Sequence, residues 1–159
     1  MKLIKKYVYI FPIIGLIILD QLLKIFIPKD MNVIDGILKF TYVENTGGAF
    51  GIFSSSTFTI ILFNIIVLVM IARFMVIQQE RMTKLSKIGV ILVLSGGFSN
   101  LIDRIIRGYV VDFIDITQVI KFPIFNFADI MLTIGWICLI IGIILFMKEN
   151  KEIYVKDNS

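Results

Sequence analysis

The chain has 159 residues, of which 58% are hydrophobic, and a mean hydropathy of +0.93, which is far too apolar for a soluble domain with a polar exterior. It contains no histidine and one cysteine, Cys138, so the composition excludes histidine-dependent nucleophiles, histidine-ligated zinc and a disulfide framework; we expect neither metal nor cofactor. The net charge of +4 comes from basic residues at the ends of apolar runs, which is typical of membrane orientation rather than of nucleic-acid binding.

Four apolar segments are long enough to cross a hydrocarbon core, which takes roughly 20 helical residues. They cover about residues 8–27, 57–77, 88–107 and 130–147. Basic residues precede the first segment, separate the second from the third and follow the fourth, so both termini are predicted in the cytoplasm. Segments 28–56 and 108–129 then lie outside. We predict a single all-α membrane domain over residues 1–159, a four-helix transmembrane bundle with a small extracytoplasmic β-sheet at the outer face.

The first apolar segment carries two charges, Asp20 and Lys24. They are four residues apart with the acid first, so on a helix they share a face and can neutralise each other in lipid. Two interpretations stay open: an ion pair that makes the charges tolerable in a membrane, or support for a site in the protein interior.

The first outer segment is rich in β-forming residues and contains the turn Asn45-Thr46-Gly47-Gly48. Its partial alternation between Val33 and Phe53 predicts a small amphipathic sheet resting on the membrane. The second outer segment, from Tyr109 to Phe127, has a similar apolar texture with aspartates. We expect it to pack beside the first.

The third apolar segment ends in a group of polar residues, Asn100, Asp103 and Arg104. Three polar side chains within two turns of a membrane helix need partners. Gly96 and Gly97, one turn earlier, favour close contact with another helix.

Acidic residues continue into the second outer segment. Asp112 lies among valine and phenylalanine, where an ionised carboxylate is costly, and Asn126 suits the N-cap of a helix that has Asp129 in its first turn. Two carboxylates in a water-poor site share one proton, and such a pair can supply both base and acid for peptide hydrolysis. These residues alone do not choose Asp112 over Asp115 or Asp103.

Five stretches of this chain, in the same order, resemble those of lipoprotein signal peptidases (signal peptidase II). They are Asp20-Gln21 with Lys24, Asn45 to Phe50, Asn100 to Arg104, Val110 to Asp115, and Phe122 to Asp129. The resemblance covers nearly the whole chain. It departs from the family at Ser99, where glycine is usual, and at Gly48, where alanine is common.

The resemblance implies an aspartic endopeptidase of the bacterial cytoplasmic (inner) membrane, with a catalytic dyad of Asp112 and Asp129 at the outer face. The residues expected to support the site or to lie near the substrate are Asp20, Lys24, Asn45, Gly47, Asn100, Asp103, Arg104 and Asn126. The implied substrate is a prolipoprotein that carries diacylglycerol on a cysteine and is cut on the amino side of that cysteine. Membrane lipids and globomycin-type inhibitors are the other expected partners, nucleic acid is not, and the enzyme is expected to be monomeric.

Two other classes of function compete with this interpretation. A small proton-coupled transporter also keeps a carboxylate within a span, but it needs acidic groups that are reached alternately from both sides. Here the acidic residues crowd at one face. A non-enzymatic membrane assembly factor would tolerate conservative changes at Asp112.

Overall fold

The computed structural model describes the backbone of residues 8–47 and 57–157 and the side chains of residues 8–47 and 57–149. The N-terminal lysines, Gly48 and the end of the predicted sheet near Phe53 lie outside the described residues. The described elements are α1 Ile10–Phe26, β1 Asp30–Ile34, β2 Leu38–Asn45, α2 Thr57–Gln78, α3 Lys84–Ile106, β3 Val110–Asp115 and α4 Phe127–Asp157.

Three of the described helices are long and apolar enough to cross a membrane, namely Thr57–Gln78, Lys84–Ile106 and Phe127–Glu149. Helix α1 covers the first predicted segment but has 17 described residues. At 1.5 Å per residue it is about 25 Å long, somewhat short of a hydrocarbon core of about 30 Å. The fold is therefore a mostly helical membrane protein with three candidate membrane-spanning helices in its described part.

Helix α3 is the centre of the bundle and packs against α1, α2 and α4. Its apolar window is 56% buried, against 17% for α2 and 22% for α4. The outer helices expose large apolar side chains, among them Phe11, Phe58 and Phe63. Such exposure is expected where lipid rather than water is the solvent. Helix α3 is the most buried of these three helices, so polar side chains on it face protein rather than lipid.

The predicted small sheet is present and has the strand order β1-β2-β3, with both pairs antiparallel. Strands β1 and β2 form a hairpin whose turn contains Gly36 with a φ of 74°. Strand β3 comes from the second outer segment, so the expectation that the two outer segments pack together is confirmed. Its pairing brings Asp112 opposite Val43 and close to the end of β2.

Gly96 lets α3 approach the start of α4, as its position in the sequence suggested. A Cβ atom at Gly96 would lie 2.4 Å from the carbonyl oxygen of Ala128, whereas a Cβ at Gly15 in α1 would meet nothing within 4 Å. We expect Gly96→Ala to lower the free energy of unfolding by about 1–3 kcal/mol, because backbone must move to admit the methyl group. Gly15→Ala is the matched control and should be neutral or stabilising. Thermal unfolding in detergent checks the pair, and equal stability of the two variants would contradict the prediction.

Candidate active site

Asp112 lies in β3 with its carboxylate held by two amide side chains. Its Oδ2 accepts a hydrogen bond from Asn45 Nδ2 at 2.9 Å, and its Oδ1 accepts one from Asn126 Nδ2 at 2.7 Å. Asn45 is the last residue of β2, and Asn126 immediately precedes α4. Because Asp112 is only 3% exposed, these two bonds take the place of water on its carboxylate.

Asp129 lies in the first turn of α4, where it and Asn126 cap the helix reciprocally. Asn126 Oδ1 accepts from the Asp129 amide at 2.9 Å, and Asp129 Oδ2 accepts from the Asn126 amide at 3.1 Å. The other carboxylate oxygen, Oδ1, accepts from Asn100 Nδ2 of α3 at 2.9 Å. The capping role predicted for Asn126 is therefore present, and the same bonds fix the position of the Asp129 carboxylate.

The carboxylates of Asp112 and Asp129 are linked by hydrogen bonds from one residue. Asn126 donates its side-chain amide to Asp112 and its backbone amide to Asp129, so both acids are bound by the same asparagine. Burial raises the pKa of Asp112 to about 6; the hydrogen bond from Asn45 opposes the rise, and the charge of Asp129 adds to it. A carboxylate pair of this kind holds a proton that an isolated aspartate would have lost.

The raised pKa of Asp112 predicts that the protein loses stability as the pH rises. The ordinary pKa is 3.8 and the folded value is about 6, so between these values the folded state binds more proton than the unfolded state. The stabilisation is complete below about pH 4 and is lost through about pH 6, and at 1.36 kcal/mol per pKa unit it amounts to at most about 3 kcal/mol.

We therefore expect the melting temperature in detergent to fall between pH 4 and pH 7, and to fall less in Asp112→Asn. Asp115→Asn is the control, because hydrogen bonds from Thr117 lower the pKa of Asp115 and give it the opposite pH dependence. An identical pH slope in Asp112→Asn and the wild type would contradict the assignment.

Arg104 lies beside the two acids without pairing directly with either. Its Nη2 donates to the Gly47 carbonyl oxygen at 2.9 Å, and its Nη1 donates to the Asn100 carbonyl oxygen at 3.3 Å. Its Nε has no hydrogen-bond partner among the described residues. The Gly47 amide in turn donates to Asn45 Oδ1 at 3.0 Å. The turn after β2 thus links the guanidinium to the asparagine that holds Asp112.

A second cluster of charges lies behind the carboxylate pair, between α1 and α3. Lys24 Nζ is 2.7 Å from Asp20 Oδ2 and 2.7 Å from Asp103 Oδ2, and all three side chains are fully buried. The ammonium also donates to Asn100 Oδ1 at 2.9 Å. The predicted pair of Asp20 and Lys24 is therefore present, and the same lysine reaches the asparagine that binds Asp129. The ion-pair interpretation is confirmed, and the supporting role stays a prediction.

Three further residues of this cluster were absent from the predicted site. Gln21 Nε2 donates to Asp103 Oδ1 at 2.9 Å and to Ser99 Oγ at 3.0 Å, and Arg107 forms an ion pair with Asp103. The spacing of Asp103 and Arg107 repeats the acid-before-base pattern of α1 and could have identified Arg107. No local pattern marks Gln21 or Ser99, because their partners lie about 80 positions away.

All the residues predicted for the site lie at one end of the bundle, in two adjoining groups. The group around the acid pair comprises Asp112, Asp129, Asn126, Asn45, Asn100, Arg104 and Gly47. The cluster behind it comprises Asp20, Lys24 and Asp103. Asn100 belongs to both, since it contacts Lys24 as well as Asp129.

Asp115 and Asp103, the other candidates for the acid pair, have different surroundings. The Asp115 carboxylate accepts from Thr117 Oγ1 at 2.6 Å, within the turn after β3, and from Thr41 Oγ1 of β2 at 3.0 Å. Asp103 is bound by the two cations of the buried cluster. Among the described residues, no group of three or more carboxylate or thiol side chains is arranged to hold a metal ion.

Comparison with known proteins gives consistent matches over most of the chain. The family model described as signal peptidase (SPase) II matches residues 12–145. The lipoprotein signal peptidase of Caldicellulosiruptor bescii is 35% identical over 154 residues, which covers 94% of this chain and 97% of that protein. The lipoprotein signal peptidase of Latilactobacillus sakei is 40% identical over 148 residues, covering 88% and 97% respectively.

Solved structures also match this fold. A bacterial membrane enzyme determined by the in meso method at 2.3 Å resolution superposes with a TM-score of 0.79 at 32% identity, covering 89% of this chain and 90% of that one. A second such enzyme, at 1.9 Å resolution, gives a TM-score of 0.72 at 32% identity, covering 85% of this chain and 91% of that one. Most of the fold is therefore shared with bacterial membrane enzymes.

Proposed function

The chain belongs to the signal peptidase II family and removes signal peptides from prolipoproteins; we propose that it does so as an aspartic endopeptidase with Asp112 and Asp129 as its catalytic dyad. The observation that carries this proposal is the single asparagine, Asn126, that binds both carboxylates. Nothing in the comparisons or the fold supports a transporter.

The charges around the dyad support a shared proton. Four carboxylates lie in this buried or half-buried region and three cations face them. The carboxylates are Asp20, Asp103, Asp112 and Asp129, and the cations are Lys24, Arg104 and Arg107. One negative charge remains unbalanced in surroundings of low polarity, and one proton bound between Asp112 and Asp129 neutralises it.

This protonation state suits hydrolysis of a peptide bond. The ionised carboxylate takes a proton from a water molecule as the water oxygen attacks the carbonyl carbon of the scissile bond. The protonated carboxyl donates to the carbonyl oxygen, and a proton is then delivered to the departing amine as the C–N bond breaks. Asn45, Asn100 and Asn126 hold the carboxylates in place, so that the pair does not reorganise during the reaction.

We propose that the substrate is a prolipoprotein whose cysteine carries diacylglycerol, cut on the amino side of that cysteine. The lipid would hold the scissile bond at the membrane surface, and the dyad lies where α3 ends and α4 begins. The apolar exposed faces of the helices suit contact with acyl chains. Globomycin-type cyclic peptides are the proposed inhibitors, and the proposed active unit is a monomer.

We further propose that α1 is a fourth membrane span, with both termini in the cytoplasm and the dyad at the outer face of the bacterial cytoplasmic membrane. Three basic residues support this orientation because such residues are retained inside: Arg81 in the loop between α2 and α3, and Lys84 and Lys87 in the first turn of α3. The polar end of α1, with Asp20 and Lys24, would then lie near the outer surface, where it contacts α3.

The direct test is cleavage of a purified precursor. The enzyme in detergent or lipid should convert a diacylglyceryl-modified prolipoprotein into mature lipoprotein and free signal peptide, and mass spectrometry of the new N-terminus should find the modified cysteine there. The same precursor without the lipid should be cut far more slowly. We expect cleavage to persist in a metal chelator, and complete loss of activity there would contradict the carboxylate mechanism.

A further inference from the structure

Ser99 is fully buried on α3, and its hydroxyl group both donates and accepts a hydrogen bond. Its Oγ donates to Asp20 Oδ2 at 2.6 Å and accepts from Gln21 Nε2 at 3.0 Å, so it connects two neighbouring residues of α1. A hydroxyl donating to a buried carboxylate is one of the stronger hydrogen bonds in a protein. The bond therefore fixes the orientation of the Asp20 carboxylate as well as the contact between α1 and α3.

From Asp20 the contacts continue to α4 rather than ending at the ion pair. The second carboxylate oxygen, Asp20 Oδ1, accepts from the backbone amide of Ala128 at 2.9 Å. Ala128 is fully buried and immediately precedes Asp129. Asp20 thus binds one of the free amide groups in the first turn of α4 from a different helix, where the helix dipole also favours a negative charge.

A second chain of hydrogen bonds connects the buried cluster of Asp20, Lys24 and Asp103 to Asp129. Lys24 Nζ, bound to Asp20 Oδ2, donates to Asn100 Oδ1, which leaves the Asn100 amide group to donate to Asp129 Oδ1. The ammonium can only donate, and Asn126 Nδ2 donates to the same oxygen at 3.2 Å, so the two together determine which end of the Asn100 side chain faces the acid. Asp112 is held by Asn45 and Asn126, and Asn126 reaches the ion-paired cluster through Asn100.

We propose that Ser99 is a positioning residue for Asp129: its hydroxyl orients Asp20, and Asp20 holds the start of α4 and, through Lys24, the Asn100 amide. Ser99 touches neither the substrate nor the reacting atoms, so its effect passes through Asp20. The inference rests on the proposed role of Asp129 in cleavage. It predicts a loss in the chemical step with little change in substrate affinity, since the hydroxyl lies behind the dyad.

The test compares Ser99→Ala with Ser95→Ala in the full-length enzyme. Ser95 is a fully buried serine one turn earlier on α3, and its hydroxyl donates only to its own helix, at the Ile91 carbonyl oxygen at 2.7 Å. For Ser99→Ala we expect kcat to fall roughly tenfold with KM within about twofold of the wild type, because a hydrogen bond to a charged group is lost. Ser95→Ala should keep both constants within about twofold.

Hydrogen exchange gives a second measurement that does not depend on cleavage. In Ser99→Ala the amides at the start of α4, residues 126–132, should exchange faster, while those of α2 stay protected as in the wild type. Ser99→Cys, which keeps the side-chain shape but donates weakly, should lie between alanine and the wild type in both measurements. It also tests the inference if Ser99→Ala cannot be purified in folded form.

Several outcomes would overturn the inference. They are an unchanged kcat in Ser99→Ala or Ser99→Cys, a loss no larger than that of Ser95→Ala, a rise in KM alone, or faster exchange spread evenly over all helices. The proposed function has a separate test, because it fails if Asp129→Asn cleaves at full rate. If the wild type and Ser99→Ala cleave the precursor at the same rate, only the proposed role of Ser99 is rejected.

Discussion

Replacing Asp112 or Asp129 with asparagine is expected to abolish cleavage, with a fall in kcat of about 10³–10⁴-fold for either variant. Asparagine keeps the shape of the side chain but can neither take a proton from water nor hold the one that the pair shares. The two losses should not add in the double variant, because a pair that works as a unit is already disabled when one member is removed.

The measurement is single-turnover cleavage of the lipidated precursor by purified variants whose helical content and elution in detergent match the wild type. Asp115→Asn is the matched control: it lies three residues from Asp112, and its carboxylate binds Thr41 and Thr117 at the edge of the sheet. Asp115→Asn should stay close to full activity. Full turnover by Asp112→Asn or Asp129→Asn would reject the dyad and leave the chemistry to another group.

Replacing Lys24 with methionine is expected to give the largest loss of stability, about 3–5 kcal/mol. The ammonium is the only cation within 4 Å of Asp20 among the described residues, and it is one of two beside Asp103. Methionine fills a similar volume but leaves buried carboxylates without their partner, and each uncompensated charge is costly in surroundings of low polarity. Asn100 Oδ1 would also lose one of its two donors and keep the other, Asn126 Nδ2.

Lys39→Met is the control for this variant. Lys39 Nζ is 2.8 Å from Asp30 Oδ1, a distance close to those of the buried pairs, but the Asp30 side chain is 76% exposed. Solvent screens such a pair, so its loss should hardly change the melting temperature. Thermal unfolding of both variants in the same detergent separates the two cases. If Lys24→Met had the same melting temperature as Lys39→Met, the buried cluster would have no measurable role in stability.

The two predictions bear on different parts of one polar region inside an apolar bundle. The ion-paired cluster contains the acids Asp20 and Asp103 and the cations Lys24 and Arg107, so its charges balance, and it supports the contact between α1 and α3. In the acid pair, burial raises the pKa of Asp112 and the charge of Asp129 adds to the rise, which favours the protonated form of Asp112. The group that we expect to stabilise the fold and the proposed catalytic pair are therefore neighbours, and Asn100 forms hydrogen bonds to both.

Local patterns in the sequence were enough for the elements and for contacts within them. The length of the apolar runs predicted the candidate membrane-spanning helices α2, α3 and α4, and the β-forming outer segments predicted the sheet. The spacing of Asp20 and Lys24 predicted their ion pair, and the position of Asn126 predicted its cap. Each of these features depends on residues a few positions apart, whose relative placement follows from helix or strand geometry alone.

The tertiary structure decided which acids meet. From the residues alone Asp103, Asp112 and Asp115 were equivalent candidates, and only the resemblance to a family favoured Asp112 and Asp129. The packing of α1 against α3 places Asp103 in an ion pair with Lys24. The pairing of β2 with β3 places Asp112 within hydrogen-bond distance of Asn45. Ser99 and Gln21 contact the buried cluster for the same reason, because α1 packs against α3. The partner of a side chain across a bundle depends on how the helices and strands pack. For residues about 80 positions apart, the separation along the sequence does not predict that packing.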